Sequence, residues 1–316
     1  MTPMDTPVVF FVFNRPEVTR QVFARIRDAR PARLHVVCDG PRPTRPADAE
    51  KVAAVRAIVD QGVDWPCQLV RDYAAENLGC RDRVASGLDR VFAEVEEAII
   101  LEDDCLPDPS FFGFCSELLA RYRHDERIMH IGGTNLAAGR IRTADSYWFT
   151  HHAWIWGWAT WRRAWQRYDF TMRTWDERRA ALAATFASAW ERQYWLSTWE
   201  PVQRDLAAAN TWGFPWMYSV RSAGALAILP TANLVENIGI GVDSTHMRED
   251  AARLRTPTAA AGALRHPTRV SAHPGRDELF TRVYAGDRFD LRANLRSRLR
   301  LAREALRVRL AGPRSP

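Results

Sequence analysis

Lysine is almost absent from this 316-residue sequence, in which Lys51 is the only one. Because Lys51 lies in a segment predicted to form an exposed helix, the sequence excludes a lysine nucleophile in practice. Cysteine is also scarce: there are five, an odd number, and no two of them form a Cys-x-x-Cys pair. This pattern indicates neither a disulfide framework nor a zinc knuckle, so we expect the cysteines to be reduced and partly buried.

Long apolar segments are missing as well. No apolar run approaches the roughly 20 residues that span a bilayer, and residues 1–8 lack the basic start and the apolar centre of a signal peptide. The sequence therefore predicts a cytoplasmic location. Because 47% of the residues are hydrophobic, the chain has enough apolar side chains for a globular protein of about one or two domains.

The formal net charge of +6 is concentrated at the C-terminus. Residues 291–316 contain eight arginines and one acidic residue, Glu304, with leucines between them at near-helical spacing. This pattern predicts a basic amphipathic helix that contacts an anionic membrane surface, such as the inner face of the cell membrane. A solvated helix or a disordered tail is the alternative. The rest of the chain is nearly neutral, which argues against a nucleic-acid-binding groove.

Apolar runs and helical patterns alternate before residue 104. The predicted strands cover residues 8–13, 34–38, 68–71 and 98–101, and the predicted helices cover residues 21–29, 49–61 and 81–94. Such alternation predicts an α/β fold with a mostly parallel, Rossmann-like sheet that binds ligands at the C-terminal ends of its strands.

The last of these strands ends in three consecutive acids at residues 102–104, Glu-Asp-Asp, called the acid motif below. Acids favour turns and helix N-termini, so a helix cap is the simplest explanation for the acid motif considered alone. Polar residues also follow other predicted strands, because Asn14 and Arg15 follow the first and Asp39 follows the second. Parallel strands bring these ends to one edge, which favours a site that holds a divalent cation against a diphosphate.

Twelve of the thirteen tryptophans lie between Trp148 and Trp216. An indole ring offers a flat apolar face and one N–H donor, which suits stacking on a sugar, but it is also a bulky core side chain. The core is the expected location for any single tryptophan. The cluster as a whole predicts a cleft for a carbohydrate or an amphipathic acceptor.

The N-terminal half resembles nucleotide-diphospho-sugar transferases of the GT-A fold, and among well-known families it is most similar to the N-acetylglucosaminyltransferase I type. The segments that carry this resemblance are residues 8–16, 36–40, 76–81 and 99–112. The C-terminal half resembles a group of bacterial glycosyltransferase-like proteins, described as family 2-like or HlpA-like. That resemblance rests on residues 155–165, 233–239 and 243–246.

The resemblance implies a domain organisation. A GT-A domain would cover residues 1–247, with a nucleotide-sugar-binding half at residues 1–144 and a Trp-rich acceptor half at residues 145–247. Residues 248–316 would form a C-terminal extension that carries the basic amphipathic helix.

The resemblance also implies roles for individual residues. Those expected to bind the nucleotide-sugar are Asn14, Arg15, Asp39, Arg81, Arg83, Glu102 and Asp103. Asp104 is the expected direct ligand of Mn²⁺ or Mg²⁺, hard cations that prefer oxygen ligands. His246 is the expected metal ligand or phosphate contact from the later part of the chain, since this fold often recruits a C-terminal histidine. A lone histidine is otherwise a surface or core residue whose hydrogen bonds are made within the protein. The acceptor-side residues expected from the Trp-rich half are Trp156, Trp158 and Trp216.

The catalytic base is the part of the pattern that this chain lacks. An inverting glycosyltransferase needs a carboxylate that takes the proton of the acceptor hydroxyl. Relatives often carry an acid in the segment that here spans residues 210–216, and this chain has none there. The remaining candidates are Asp176, Glu200 and Asp205, each of which is otherwise explained as a surface acid.

Together these features predict a metal-dependent glycosyltransferase. It would move a sugar from a nucleotide-diphosphate donor, expected to be a UDP-sugar, to a hydroxyl of a cell-surface glycan or glycoconjugate. The alternative is a sugar-nucleotide-binding partner protein that has lost turnover. A metal-dependent nucleotidyltransferase would need a glycine-rich basic loop near the N-terminus, and residues 8–16 contain no glycine.

Overall fold

The computed structural model of the protein describes residues 4–141, 143–240 and 254–286. Two predicted features lie outside these residues, namely His246 and the basic amphipathic helix of residues 291–316. Within the described ranges, no helix is long and apolar enough to cross a membrane.

Strands and helices alternate strictly up to β4, and every strand and helix predicted before residue 104 forms. The strands are β1 (Val8–Val12), β2 (Arg33–Cys38), β3 (Gln68–Tyr73), β4 (Glu97–Glu102), β5 (Cys105–Pro107), β6 (Ile128–Gly132), β7 (Tyr147–Thr150), β8 (Trp158–Trp161), β9 (Leu226–Pro230) and β10 (Val235–Asn237). The helices are α1 (Pro16–Ala29), α2 (Ala47–Gly62), α3 (Gly79–Glu94), α4 (Ser110–Tyr122), α5 (Arg162–Trp165), α6 (Trp175–Ala184), α7 (Ala189–Arg204), α8 (Leu206–Ala209), α9 (Gly213–Ser222) and α10 (Pro274–Ala285).

Eight strands form one central sheet in the order β3-β2-β1-β4-β8-β6-β9-β7. The first four pair in parallel and are joined by helices, which is the strand order of a Rossmann-like half. β8 runs antiparallel between β4 and β6, β9 is parallel to β6, and β7 is antiparallel to β9. The predicted α/β class with a Rossmann-like, mostly parallel sheet is therefore confirmed, and it is the architecture expected of the GT-A fold.

The sheet joins the two halves expected from the resemblance. β8 comes from the Trp-rich half, yet it pairs with β4, whose C-terminal end carries the acid motif. The apolar side chains of both halves pack into one continuous core. That core also includes Phe280 of α10, a helix from the segment expected to be an extension. The acid motif and the tryptophans are thus fixed relative to one another by a shared core.

Candidate functional site

The C-terminal ends of β1, β2 and β4 meet at one edge of the sheet. Val12 is in register with Cys38, and Phe11 is in register with Glu102. The residues that follow these strands therefore share that edge, as the sequence predicts, and they include Arg15, Asp39 and the acid motif. Helix α1 begins directly after β1 with Pro16 at its first position, where the fixed φ of proline suits a helix start.

Arg15 binds two carboxylates of the acid motif. Its Nη2 donates to Oδ1 of Asp103 and lies 3.0 Å from Oδ2 of Asp104. Burial alone would lower the pKa of Arg15, but the two carboxylates outweigh burial and raise it, so the guanidinium stays charged. One cation therefore holds two adjacent acids at the strand end.

The three acids are not fully compensated by that single cation. Burial, and then the neighbouring Asp104 and Asp103, raise the pKa of Glu102 above its usual range. Burial also raises the pKa of Asp103, although Arg15 opposes the shift. Among the described residues, no hydrogen bond to the Glu102 carboxylate accompanies these effects. The raised pKa values mean that the acid motif favours a bound proton, or a cation in its place.

A small space of about 160 Å³, called the polar crevice below, opens beside the acid motif. Its lining includes Phe13, Asp39, Arg42, Asn77, Gly79, Cys80, Arg83, Glu102, Asp103 and Asn210. The polar crevice lies at the C-terminal ends of parallel strands, the usual position of nucleotide sites in α/β sheets. Burial raises the pKa of the Cys80 thiol, which favours its protonated form.

Asp39 lines the polar crevice with both of its oxygens already bonded. Oδ1 accepts from the main-chain amides of Gly40 and Leu78 at 2.8 and 2.9 Å. Oδ2 accepts from Asn77 Nδ2 at 2.9 Å and from the amide of Gly79 at 3.0 Å. Four donors fill the acceptor sites of a carboxylate. In the structure Asp39 holds the start of α3 against the end of β2, and its contact with a base or ribose stays a prediction.

The other predicted nucleotide residues make protein contacts. Asn14 donates to Asp48 at 2.8 Å. The buried Arg83 donates to the carbonyl of Cys38 at 3.2 Å and to the carboxylate of Asp72 at 3.0 Å, so it ties α3 to the ends of β2 and β3. Arg81 turns away, because its guanidinium pairs with the neighbouring carboxylate of Asp82 and lies over the ring of Phe170 at 5.1 Å. Of the two arginines, Arg83 lines the polar crevice.

A larger space of about 490 Å³, called the aromatic cleft below, lies on the other side of the acid motif. Its acid end is formed by Arg15, Cys80, Glu102, Asp104, Asn237 and Gly239. The rest is lined by Trp154, Ile155, Trp156, Val202, Ala209, Thr211, Trp212, Gly213, Phe214, Met217 and Tyr284. Glu102 and Cys80 line both the aromatic cleft and the polar crevice. The two spaces therefore meet at the acid motif.

Only one of the three predicted acceptor-side tryptophans, Trp156, lines the aromatic cleft among the residues described. Trp158 and Trp216 are fully buried and pack on each other with ring centroids 5.5 Å apart. Neither ring presents a face to a ligand, which corrects the expectation that they contact the acceptor. Trp158 belongs to β8, a strand inside the central sheet, so its side chain fills the core.

His130 in β6 connects that core to the aromatic cleft. Trp216 Nε1 donates to His130 Nδ1 at 3.1 Å, and an indole N–H can only donate, so Nδ1 is the acceptor. His130 Nε2 then carries the proton and donates to the carbonyl of Trp154 at 2.9 Å. Burial lowers the pKa of His130 to about 3, which keeps the ring neutral. The main chain at Trp154 is thereby fixed at the wall of the cleft.

None of the three candidate bases is among the described residues that line the aromatic cleft. Asp205 caps α8 by accepting from the amide of Ala208 at 2.9 Å. Glu200 on α7 accepts from Arg179 at 3.1 Å, and Asp176 lies in the first turn of α6. The N-termini of α6 and α8 favour the acids Asp176 and Asp205, because a helix N-terminus offers free main-chain amides and the positive end of the helix dipole. The assignment of a base to these residues stays a prediction.

The acid-free segment at residues 210–216 does line the aromatic cleft, through Thr211, Trp212, Gly213 and Phe214. The segment that the resemblance singles out is thus part of the cavity lining, and its role in catalysis stays a prediction. Asn237 and Tyr284 also line the cleft, and sequence reasoning missed both. Asn237 is the last residue of the short strand β10, Val-Glu-Asn, which carries no apolar run comparable to the one before Asp39, and nothing in the local sequence of Tyr284 indicates a site.

The short sheet of β5 and β10 brings the chain after Asn237 onto the acid motif. The amide of Ile238 donates to the carbonyl of Asp104 at 2.8 Å. A Cβ at Gly239 would lie 2.4 Å from Asp104 Oδ2 and 2.6 Å from Arg15 Nη1, so the close approach requires glycine. The predicted ligand His246 follows in the chain but lies outside the described residues, so its role stays a prediction.

The acid motif fits a divalent cation that arrives with a diphosphate. In the described part of the chain, no three His, Cys, Asp or Glu side chains form a ready-made metal site. Mg²⁺, however, usually binds one or two carboxylates and takes its other oxygens from phosphates and water. Three neighbouring acids with one guanidinium supply hard oxygen ligands, and the raised pKa of Glu102 shows that a positive partner is favoured there. Asp104 faces the aromatic cleft, and its side chain is more exposed than that of Asp103, 15% against 5%.

No protein-family model matches this chain, and no curated protein matches its sequence. Among solved structures, the mannosyltransferase PcManGT from Pyrobaculum calidifontis, in complex with GDP-Man and Mn²⁺, is similar over 53% of this chain, with 15% identity and a TM-score of 0.36. The match covers 47% of the mannosyltransferase, less than half of its length.

Two further solved structures are similar to this chain. The UTP-bound UGPase from Acinetobacter baumannii matches 75% of this chain and 89% of its own length, with 8% identity and a TM-score of 0.41. A putative nucleotide-diphospho-sugar transferase from Desulfovibrio desulfuricans G20 matches 52% of this chain and 68% of its own length, with 10% identity and a TM-score of 0.31. The closer relations to the N-acetylglucosaminyltransferase I type and to the HlpA-like group stay predictions.

Proposed function

We propose that this protein is a metal-dependent glycosyltransferase. It would transfer a sugar from a nucleotide-diphosphate donor, expected to be a UDP-sugar, to a hydroxyl of a glycan or glycoconjugate at the cell surface. The observation that carries the proposal is the position of the acid motif between two spaces, a polar crevice at the strand ends and an aromatic cleft. A transferase needs this arrangement, since donor and acceptor must meet at one charged centre.

The residues of the acid motif have distinct parts in this proposal. Asp104 would hold Mn²⁺ or Mg²⁺, with His246 as the proposed late ligand. When bound, such a cation neutralises the charge that develops on the leaving diphosphate. Arg15 stays charged beside the motif and supplies a second positive group to the phosphates. Glu102 and Asp103 would orient the ribose and the waters around the cation.

The acceptor hydroxyl must also lose a proton. The carboxylates that face the aromatic cleft among the described residues are Glu102 and Asp104, both in the acid motif. This observation favours a second candidate function, a sugar-nucleotide-binding partner protein without turnover. Tight nucleotide binding with no release of nucleoside diphosphate, with or without acceptors, would support that second function.

Release of nucleoside diphosphate by the full chain is the direct test. The protein is incubated with UDP-sugars and GDP-sugars, with Mn²⁺ or a chelator, and with a panel of glycoside acceptors. We expect metal-dependent release that acceptors stimulate. Formation of pyrophosphate from a nucleoside triphosphate and a sugar 1-phosphate would instead identify a nucleotidyltransferase and contradict the proposal.

Replacement of Asp104 by alanine should lower this release at least about 100-fold, the usual cost of losing a group that stabilises transition-state charge. Asp64→Ala is the matched control, because Asp64 is also paired with an arginine but is half-exposed near the opposite edge of the sheet. Circular dichroism should show both variants folded. Full metal-dependent activity in the folded Asp104→Ala variant would refute the metal assignment.

A further inference from the structure

The two ends of the aromatic cleft differ in chemistry. At the acid end, Asp104 lies 3.0 Å from Arg15 and is covered by Gly239. At the far end, the rings of Trp154 and Tyr284 meet edge to face with centroids 4.5 Å apart. Both ends belong to one space of about 490 Å³, which is within the usual range of small-molecule pockets.

Aliphatic side chains, as well as aromatic ones, line the part of the cleft beyond the acid end. They include Ile155, Val202, Ala209 and Met217. Apart from indole and phenol groups, Thr211 is the one polar side chain that lines this part among the residues described. This part of the aromatic cleft is called the apolar chamber below.

The composition of the apolar chamber does not suit a bare oligosaccharide. A sugar ring carries several hydroxyl groups, and each hydroxyl buried without a partner loses hydrogen bonds to water that the site must replace. Aromatic rings can cover a sugar face, but aliphatic side chains offer no donors or acceptors for its rim. An alkyl chain or an aromatic ring needs no such partners and gains free energy by leaving water.

We propose that the acceptor carries an apolar group beside the hydroxyl that receives the sugar, and that the apolar chamber binds this group. The inference deepens the proposed function and rests on it, because it assigns the aromatic cleft to the acceptor. The apolar group is an alkyl chain or an aromatic ring. The hydroxyl-bearing part of the acceptor faces the acid end. The continuity of the chamber with Glu102 and Asp104 is what links the apolar group to the reacting hydroxyl.

The walls of the apolar chamber are held in place by buried polar contacts. The carbonyl of Trp154 accepts from His130, as described above. Tyr284 belongs to α10, which is fixed to the end of β7 through Asp277: Thr150 and the imidazole of His151 donate to its carboxylate, the latter at 2.8 Å. Walls that are formed before binding reduce the ordering cost of a ligand, so the gain from apolar burial should appear directly in affinity.

Paired glycosides that differ only in their aglycone test the inference. Methyl, phenyl and octyl glycosides of the same sugars are titrated below micelle-forming concentrations, and binding is followed by calorimetry and by quenching of tryptophan fluorescence. Each buried methylene is worth about 0.8 kcal/mol, or roughly a fourfold gain in affinity. We expect at least a thirtyfold lower Kd for the octyl than for the methyl glycoside, with a negative heat-capacity change. A larger gain with phenyl would identify a ring instead of a chain.

Two alanine variants on α8 locate the effect. Ala209 lines the apolar chamber, whereas Ala207 is exposed on the same helix. Ala209→Phe should fill the chamber and abolish most of the aglycone preference, and Ala207→Phe should leave the preference unchanged. Methyl and octyl glycosides that bind with Kd values within threefold of each other would overturn the inference. So would a full octyl preference in a folded Ala209→Phe variant.

Donor hydrolysis without any glycoside is measured on the same samples. It requires the acid motif and no acceptor, so Ala207→Phe, whose side chain is exposed and outside the chamber, should keep it. Its absence in the unmodified protein would count against the glycosyltransferase assignment, whereas loss of aglycone preference alone would count against the apolar acceptor. The two failures are therefore distinguishable.

Discussion

Replacement of Asp277 by alanine should destabilise the whole protein, although Asp277 lies in a helix that the resemblance puts outside the GT-A domain. The Asp277 side chain is 3% exposed. Its Oδ1 accepts from the hydroxyl of Thr150, and its Oδ2 accepts from His151 Nδ1 at 2.8 Å and from the His151 amide at 3.3 Å. The variant removes all of these acceptors from donors that remain largely buried.

The expected cost follows from those contacts. A buried donor left without a partner costs about 1–3 kcal/mol, and three donors lose their acceptor in this variant. We therefore expect Asp277→Ala to lower the free energy of unfolding by about 3–5 kcal/mol in urea denaturation followed by circular dichroism. Glu278→Ala is the control on the same helix, because Glu278 pairs with Arg282 at the surface, where such pairs contribute about 0.3–0.5 kcal/mol.

The pH dependence provides a second measure of the same contact. Burial would raise the pKa of Asp277, but the hydrogen bond from His151 and the charges of His152 and His151 outweigh it and lower the pKa. A lowered pKa stabilises the fold above the unfolded value of about 3.9, and this contribution is lost as the pH falls through the folded value. The stability gap between wild type and Asp277→Asn should thus shrink in acid below about pH 4. A cost for Asp277→Ala no larger than that of Glu278→Ala would refute the reasoning.

Further outcomes are expected at the acid motif. Gly239→Ala should disturb Asp104 and Arg15, because its Cβ would lie within 2.6 Å of both side chains. Metal-dependent release should fall at least about tenfold, while Gly262→Ala, where no atom lies within 4 Å of the added Cβ, should keep it. Arg15→Ala leaves the acids uncompensated and should lower the melting temperature, and saturating Mn²⁺ should restore part of the loss by binding the folded state. Equal melting temperatures with and without Mn²⁺ in this variant would contradict the proposed cation site.

The N-terminal part of the sheet could be predicted because each of its strands and helices is recognisable from a short segment of sequence. The strands and helices before residue 104 are separate apolar runs and helical patterns, and parallel pairing brings their ends together without further knowledge. The insertion of β8 between β4 and β6 could not be predicted in this way. That pairing joins Ile99 to Ala159 across a long stretch of chain, and no short pattern in either strand specifies its partner.

The candidate site was predictable at the strand ends and less so elsewhere. The tryptophan cluster shows why: Trp156 precedes β8 and lines the cleft, whereas Trp158, two residues later, lies in β8 and is fully buried in the core. Composition alone cannot separate these two uses of an indole ring. Tyr284 shows the other limit, since it reaches the cleft only through the packing of α10, which depends on the buried contact of Asp277.

Glu102 and Cys80 form a wall shared by the polar crevice and the aromatic cleft. A donor and an acceptor that bind on the two sides as proposed would each change the surroundings of the other, so their binding free energies would be coupled. Thermodynamic linkage makes the coupling reciprocal: the factor by which a nucleotide changes acceptor affinity equals the factor by which the acceptor changes nucleotide affinity. Under the proposed function, Glu102 and Cys80 are the side chains through which this coupling would pass.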